Sequence, residues 1–272
     1  MLRRLFTDGN GVDISGKTLI VFDVETTGLN PENKLTQITT ISAVKYNSNG
    51  DRFGDSFDEH VVLNNDVKER LAFETIFPVP DNENISQWIK KSGWDSSRAT
   101  LNELQSVQAF KNWVEKHENY LLVGYNVNFD INMINYQLAK ENRQITSNCY
   151  DVMELAKTTF RALINTMAQT GNTVAQKFIT DISVNEKPSY KLELIGPALG
   201  FATDKSHESL DDCKQTGRIY FEMRKIIKKN IRIMKTPAFM ENFRSALLSW
   251  NYQMSKSNRK QVNIAVHVPS AV

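Results

Sequence analysis

Asp23 and Glu25 close an apolar run, in the stretch VFDVETTGLN that covers residues 21 to 30. Two positions apart on a strand, both side chains point to one face and Val24 to the other. Removing a carboxylate from water costs several kcal/mol unless a cation, a metal or good hydrogen-bond donors compensate it. The two acids also repel each other, and no lysine or arginine stands within the eight residues after Glu25. Compensation has to come from elsewhere in the chain or from a bound group.

Two further stretches put acids in comparable settings. In GYNVNFD, residues 124 to 130, Asp130 falls in the first turn of a helix that follows a buried strand. An acid there is also what the helix dipole favours. In HESLDD, residues 207 to 212, His207 and Asp212 are too far around a helix to share a face. His207 therefore belongs to the loop before a helix and Asp212 to its first or second turn, with Leu210, Cys213, Gly217 and Tyr220 facing the core. Each stretch alone has a plain structural explanation; the three in this order do not recur easily by chance.

The elements that must carry these residues can be read coarsely. Thr18 to Phe22 reads as a central strand, and Ile38 to Tyr46 as a second. Asn49-Gly50 is a hairpin signal, and Phe53 to Leu63 would be the returning strand. Residues 64 to 93 are polar and irregular. Asn102 to His117 and Asn128 to Glu141 have helical apolar spacing, with the short strand Tyr120 to Asn126 between them. Asn148 to Tyr150 is a candidate last strand, followed by a helix from Asp151 to about Thr166. Residues 167 to 190 give no clear pattern. Helices are expected over Lys191 to Leu199 and Ser209 to Ile227. Thr236-Pro237 is a helix start, with an apolar stripe at Met240, Phe243, Leu247, Trp250 and Met254. The alternating Val262, Ile264, Val266 and Val268 suggest a short terminal strand. Strands first and alternating strands and helices later point to an α/β layered domain with a mixed sheet.

Composition constrains the function class only loosely. The 272 residues hold 33 basic and 31 acidic side chains, a net charge of +2 that fits nucleic acid as a partner without arguing for it. Two cysteines without a paired spacing, Cys149 and Cys213, leave no disulfide framework or zinc ribbon. No apolar run approaches the length of a membrane span, and MLRRLFTDGN does not read as a secretion signal. The expectation is a soluble protein of a reducing compartment, the cytoplasm by default, with no membrane partner.

Taken together, the three stretches resemble the DnaQ-like 3′→5′ exonucleases of the DEDDh type, the group of proofreading subunits, RNase T and oligoribonuclease. The resemblance rests on Asp23-Val24-Glu25-Thr26-Thr27-Gly28-Leu29, on Asn126-Val127-Asn128-Phe129-Asp130 and on His207-Glu208-Ser209-Leu210-Asp211-Asp212, where serine replaces the usual alanine. CYDVMELAK and YKLELIGPALGF fit the same pattern, and Tyr125 stands where histidine is frequent. The likeness runs from about residue 17 to residue 229. It implies a ribonuclease-H-like exonuclease fold, a mixed five-stranded sheet flanked by helices.

The resemblance also implies a chemistry. Two divalent ions, Mg²⁺ or Mn²⁺, would compensate the acids, since hard ions suit oxygen ligands. Asp23 would bridge both, Glu25 and Asp212 would complete one site, and Asp130 would support the other through water. His207 would take the proton of the attacking water. The backbone around Thr26 and Thr27 would hold a terminal 3′-hydroxyl, with Asn126, Leu29 and Phe129 among the substrate contacts. The expected function is release of 5′-mononucleotides from the 3′ ends of single-stranded DNA, in proofreading or repair. RNA trimming is the alternative, and a non-catalytic nucleic-acid-binding module a third reading.

Asp151, three positions before Glu154, reads as a helix cap, and Asp211 as a solvated neighbour of Asp212. The basic cluster Arg224, Lys225, Lys228, Lys229, Arg232 and Lys235 reads as a solvated helix face, or as a guide for a nucleic-acid backbone. The expected organisation is an exonuclease domain over residues 1–235, with insertions at about 64–100 and 167–190, and a C-terminal helix and tail over 236–272. That last segment would dock on the body or meet a partner, either a polymerase or a second copy.

Overall fold

The computed structural model of the chain describes residues 14–77, 79–80, 84–146, 149–201 and 208–265, with side chains through residue 256. In chain order the first elements are β1 (Thr18–Thr26), β2 (Ile38–Tyr46), β3 (Phe57–His60), α1 (Asn65–Ile76), α2 (Ile85–Lys91), α3 (Glu103–Val114), β4 (Tyr120–Gly124), α4 (Val127–Ala139) and β5 (Cys149–Asp151). Next come α5 (Val152–Leu155), a π-helical turn (Ala156–Phe160), α6 (Arg161–Gln169), α7 (Thr173–Asp181) and the two-residue strands β6 (Ser183–Val184) and β7 (Lys187–Pro188). The chain ends with α8 (Leu192–Ala198), α9 (Ser209–Lys229), a 3₁₀ turn (Ile233–Lys235) and α10 (Pro237–Ala265). These elements fall into two compact units, Met1–Val152 with Lys191–Glu222, and Met153–Tyr190 with Met223–Val272.

The first unit is built on a five-stranded sheet in the order β3-β2-β1-β4-β5. β1 pairs antiparallel with β2 and parallel with β4; β2–β3 is antiparallel and β4–β5 parallel. This is the mixed sheet that the pattern of elements implied. The period of two sorts β1 into two faces. Ile20, Phe22 and Val24 join Ile41 and Ala43 against Val107, Phe110 and Val114 of α3 and Ile134 and Leu138 of α4. Asp23 and Glu25 look out from the opposite face. Their direct partners across the ladder are Ser42 and Thr40.

α9 lies across that opposite face. Cys213 Sγ donates to the Ser42 carbonyl at 3.2 Å, and Tyr46 Oη to the Lys214 carbonyl at 3.3 Å. Gly217 makes the close approach possible: a Cβ there would stand 2.5 Å from Cε2 of Tyr46. A second, smaller cluster joins Leu63 and Val67 to Ile85 and Ile89 of α2, with Leu35, Leu71 and Trp94 at its edge. Residues 64 to 93, expected to be irregular, therefore hold two helices. Asn64 and Asn84 start them by accepting the Val67 and Gln87 N–H groups.

Other boundaries move for physical reasons. β1 continues beyond Phe22 to Thr26 because its ladder with β2 continues as far as Thr26 opposite Ile38. The returning strand shrinks to Phe57–His60, flanked by single bridges at Arg52 and Val61.

In the second unit Ala162, Leu163, Met234 and Phe239 form a buried cluster. Ile226, Ile233, Met240 and Phe243 pack around it. Thr236 starts α10 as expected, its hydroxyl accepting the Phe239 N–H at 3.3 Å. Trp250 of the apolar stripe is buried beneath Lys157, whose ammonium sits 5.3 Å from the indole centre. Residues 167 to 190 supply the end of α6, then α7 and the β6–β7 pair. α10 runs through Ala265, so Val262 and Ile264 continue a helix instead of forming the suggested strand; Val266 and Val268 lie outside the described residues. An established helix adds residues more easily than a lone terminal strand finds a partner. No helix among the described residues is long and apolar enough to cross a membrane.

The contact between Gly217 and Tyr46 predicts that Gly217→Ala overpacks the interface between α9 and β2. Urea unfolding should show a loss of about 1–3 kcal/mol, the usual cost of inserting a methyl group into a packed site. Unchanged stability would mean that α9 can move away from the sheet freely.

Candidate active site

Three acids converge on the face of the sheet that α9 crosses. Carboxylate oxygens of Asp23 and Glu25 on β1 and of Asp212 in the first turn of α9 all lie within 4.8 Å of one another. Ser209 ties the two elements together, its buried hydroxyl donating to the Asp23 carbonyl at 2.9 Å. The serine that departs from the family pattern thus fastens α9 to the strand that bears Asp23.

Asp130 approaches from the other side of β1. The β1–β4 ladder ends at Val21 opposite Val123, which leaves the N–H of Val24 without a ladder partner toward β4. Asp130 Oδ1 accepts that N–H at 3.4 Å. The acid is therefore joined to the other three through the residue between Asp23 and Glu25. It sits in the first turn of α4, almost fully buried.

The cluster is badly compensated by the protein itself. Oδ2 of Asp23 and Oδ2 of Asp130 are sealed from solvent without a hydrogen-bond partner. Burial, and then the charge of Asp212, push the Asp23 carboxyl well above the usual range, against a smaller lowering by Ser209. Burial followed by Asp23 and Asp212 raises Glu25 to about 9. Asp130 is likewise raised, by burial first and by Asp23 next. These groups cannot all carry charge together unless positive charge joins them. An all-oxygen donor set with orphaned buried oxygens fits hard divalent cations such as Mg²⁺ or Mn²⁺.

The turn after β1 is closed by its own side chains. Thr26 Oγ1 donates to the Gly28 carbonyl at 2.6 Å and Thr27 Oγ1 to that of Leu35. The Thr27 N–H goes to the Gln37 carbonyl at 2.9 Å, and the Gln37 N–H returns to Thr27 Oγ1 at 2.8 Å. Leu29 at the tip is 70% exposed. Phe129 is half-buried against the main core. Asn126 is exposed and adopts a left-handed conformation, φ 66°, just before α4. His207 lies outside the described residues. Its neighbour Glu208 packs over Gly93, where a Cβ would come within 2.8 Å of the glutamate Cγ.

One residue that sequence reasoning passed over, Glu103, and one that it read only as a cap, Asp151, matter locally. A register shift between Glu25 and Thr26 breaks the β1–β2 ladder, and Glu103 Oε1 accepts the Ile38 N–H there at 2.7 Å. From sequence Glu103 is one more acid at a helix start. Asp151, read from sequence as a cap, closes β5 and accepts the Asn126 N–H at 3.0 Å. Asp211 pairs with Lys214. The basic cluster from Arg224 to Lys235 belongs to the second unit, where Lys225, Lys228, Lys229, Arg232 and Lys235 are exposed.

A sequence model of the exonuclease family, RNase T type, matches residues 20–220. Among solved structures, E. coli exonuclease I in complex with a dT13 oligonucleotide is 16% identical with a TM-score of 0.56, covering 80% of this chain and 42% of that one. The complex with a dA16 oligonucleotide gives 0.53 at the same identity and coverage. The zinc-bound form of the exonuclease I–ssDNA complex gives 0.54 at 16% identity, covering 93% of this chain and 46% of that one. At this identity the likeness establishes a shared fold, and this chain spans less than half the length of those proteins. No curated protein matches the chain.

Two pH effects follow from the raised carboxyls. Below about pH 9 Glu25 holds a proton that a cation must displace. Affinity for Mn²⁺ should therefore tighten from pH 6.5 to 8.5, by up to about tenfold per unit for one proton displaced. Calorimetry in buffers of different ionisation heat should register the released proton, and a flat profile would contradict the arrangement. Glu103, raised to about 7 chiefly by burial, favours the folded state most when protonated. Its contribution is full below the ordinary glutamate range and is lost as pH rises through 7. Glu103→Gln keeps an acceptor for Ile38, so its melting temperature should gain on wild type at pH 8 and not at pH 4.

Proposed function

This chain belongs to the exonuclease family, and from that premise we propose that it releases 5′-mononucleotides from the 3′ ends of single-stranded DNA, using divalent cations. The observation that carries the reading is the convergence of Asp23, Glu25 and Asp212 in one poorly compensated cluster, with Asp130 joined to it through Val24. Two Mg²⁺ or Mn²⁺ ions held by these four acids would supply Lewis-acid activation and charge neutralisation for displacement at phosphorus.

The remaining roles fall to the chain's own residues. The closed turn at Thr26 and Thr27 presents its backbone to the terminal 3′-hydroxyl. Exposed Leu29 and Asn126, with half-buried Phe129, hold the last nucleotides. His207 accepts the proton of the attacking water, as a neutral imidazole can near neutral pH. The new bond joins the water oxygen to phosphorus, and the bond to the 3′-oxygen of the preceding nucleotide breaks. The DNA oligonucleotides held by the exonuclease I relatives favour DNA over RNA. The proposed catalytic region spans residues 1–235, with residues 236–272 as an appended segment that docks or meets a polymerase or a second copy. Action in the cytoplasm is part of the same reading.

A 5′-labelled single-stranded oligonucleotide with Mg²⁺ should give a ladder of shortening products. EDTA should stop it, and Asp23→Ala should match the buffer control. Matched DNA and RNA strands should show faster DNA digestion; faster RNA digestion would reassign the substrate. A wild-type protein that binds the strand without cutting it would support a non-catalytic module instead.

A further inference from the structure

Asn126 is one of four non-glycine residues with positive φ in the described chain, and it immediately precedes α4. The left-handed region costs most residues with a Cβ about 1–2 kcal/mol, and asparagine tolerates it better than most without adopting it as freely as glycine. Its own side chain makes no capping hydrogen bond to the helix. The Asn126 carbonyl accepts the Phe129 N–H at 3.0 Å, and its N–H is held by Asp151 at the end of β5, whose Oδ1 accepts it at 3.0 Å. Asp151 is 6% exposed, and its strand sits in parallel register with β4, Gly124 opposite Asp151. A carboxylate acceptor makes a stronger bond to an N–H than a neutral one does.

The turn so fixed sets the start of α4, and Asp130 stands in the first turn of that helix. Asp130 has one oxygen on the Val24 N–H and the other without a partner, so its aim depends on where α4 begins. We propose that Asp151 is a positioning residue for Asp130, acting through the left-handed turn at Asn126. Asp151 does not join the three converging acids; it fixes the frame from which a fourth is presented. The inference rests on the exonuclease reading for its activity readout, and its cation-binding readout is independent of turnover.

The test compares Asp151→Ala, Asp151→Asn and the double change Asp151→Ala with Asn126→Gly. Mn²⁺ affinity is measured by calorimetry, kcat and KM on a single-stranded oligonucleotide, and folding by thermal melting. In Asp151→Ala, Mn²⁺ affinity and kcat should each fall about 10–100-fold, the usual cost of losing a group that orients a metal ligand. KM should stay within about threefold, the pattern of a group needed in the transition state and not for ground-state binding. Asp151→Asn, which still offers an oxygen to the Asn126 N–H, should restore both values. In the double variant glycine adopts the left-handed turn unaided, so Mn²⁺ affinity should recover in part.

A lower melting temperature with unchanged Mn²⁺ affinity and kcat would overturn the proposal and leave Asp151 a purely structural acid. So would an Asp151→Asn variant as impaired as Asp151→Ala, or a double variant no better than the single. Should Asp151→Ala fail to fold, the other two variants are compared with wild type: near-wild-type Mn²⁺ affinity and kcat in Asp151→Asn support the proposal, and a loss there of about tenfold or more, or failure of all three to fold, overturns it. Absence of Mn²⁺ uptake by the wild type would instead sink the exonuclease reading itself.

Discussion

The governing constraint is the mutual repulsion of carboxylates gathered on one face of a β-sheet. Left to themselves the three acids would move apart, and burial raises the carboxyls of Asp23 and Glu25 so that they tend to keep their protons. The fold opposes separation with neutral means. The ladder to β2 fixes β1, a serine hydroxyl fastens α9 to it, and a glycine lets α9 lie close against Tyr46. None of these contacts neutralises charge. They hold the acids in a geometry whose unfavourable energy is relieved by protonation or by a positive charge brought among them.

The two sides of β1 solve different problems. Toward β2 the strand is paired over nearly its whole length, and the irregularity at Glu25 and Thr26 is bridged by Glu103. Toward β4 the pairing stops early, and a side chain replaces the missing ladder partner. That early stop is what admits Asp130. A strand fully paired on both sides would have had no free N–H to present, and α4 could not have delivered an acid to the same place.

Much of this was legible in the sequence, because a carboxylate pair at the end of an apolar strand is costly and hence noticeable. The mixed sheet followed from alternating and helical apolar spacing. Residues 64 to 93 were opaque for a physical reason: α1 and α2 bury only Val67, Ile85 and Ile89 between them, too few to show a period. Asn64 and Asn84 were the available signal, as capping residues ahead of each helix. The tail misled because alternation of valine and isoleucine is a strand pattern only where a sheet edge is at hand. Glu103 and Asp151 were invisible as contributors. Their partners, the N–H groups of Ile38 and Asn126, are defined by backbone geometry that no side-chain pattern encodes.

The first unit is assembled from two separated stretches of chain, with Met153–Tyr190 lying between them in sequence. Asp212 arrives on the ribosome 189 residues after Asp23, about 10–40 s later at ordinary elongation rates of about 5–20 residues per second. Until then the nascent chain carries β1 with its outward face uncovered by α9. A polypeptide whose synthesis is interrupted before α9 emerges lacks one of the three converging acids. The acidic cluster is thus completed by one of the last-made parts of the first unit, since Asp212 follows the whole of Met153–Tyr190 in sequence.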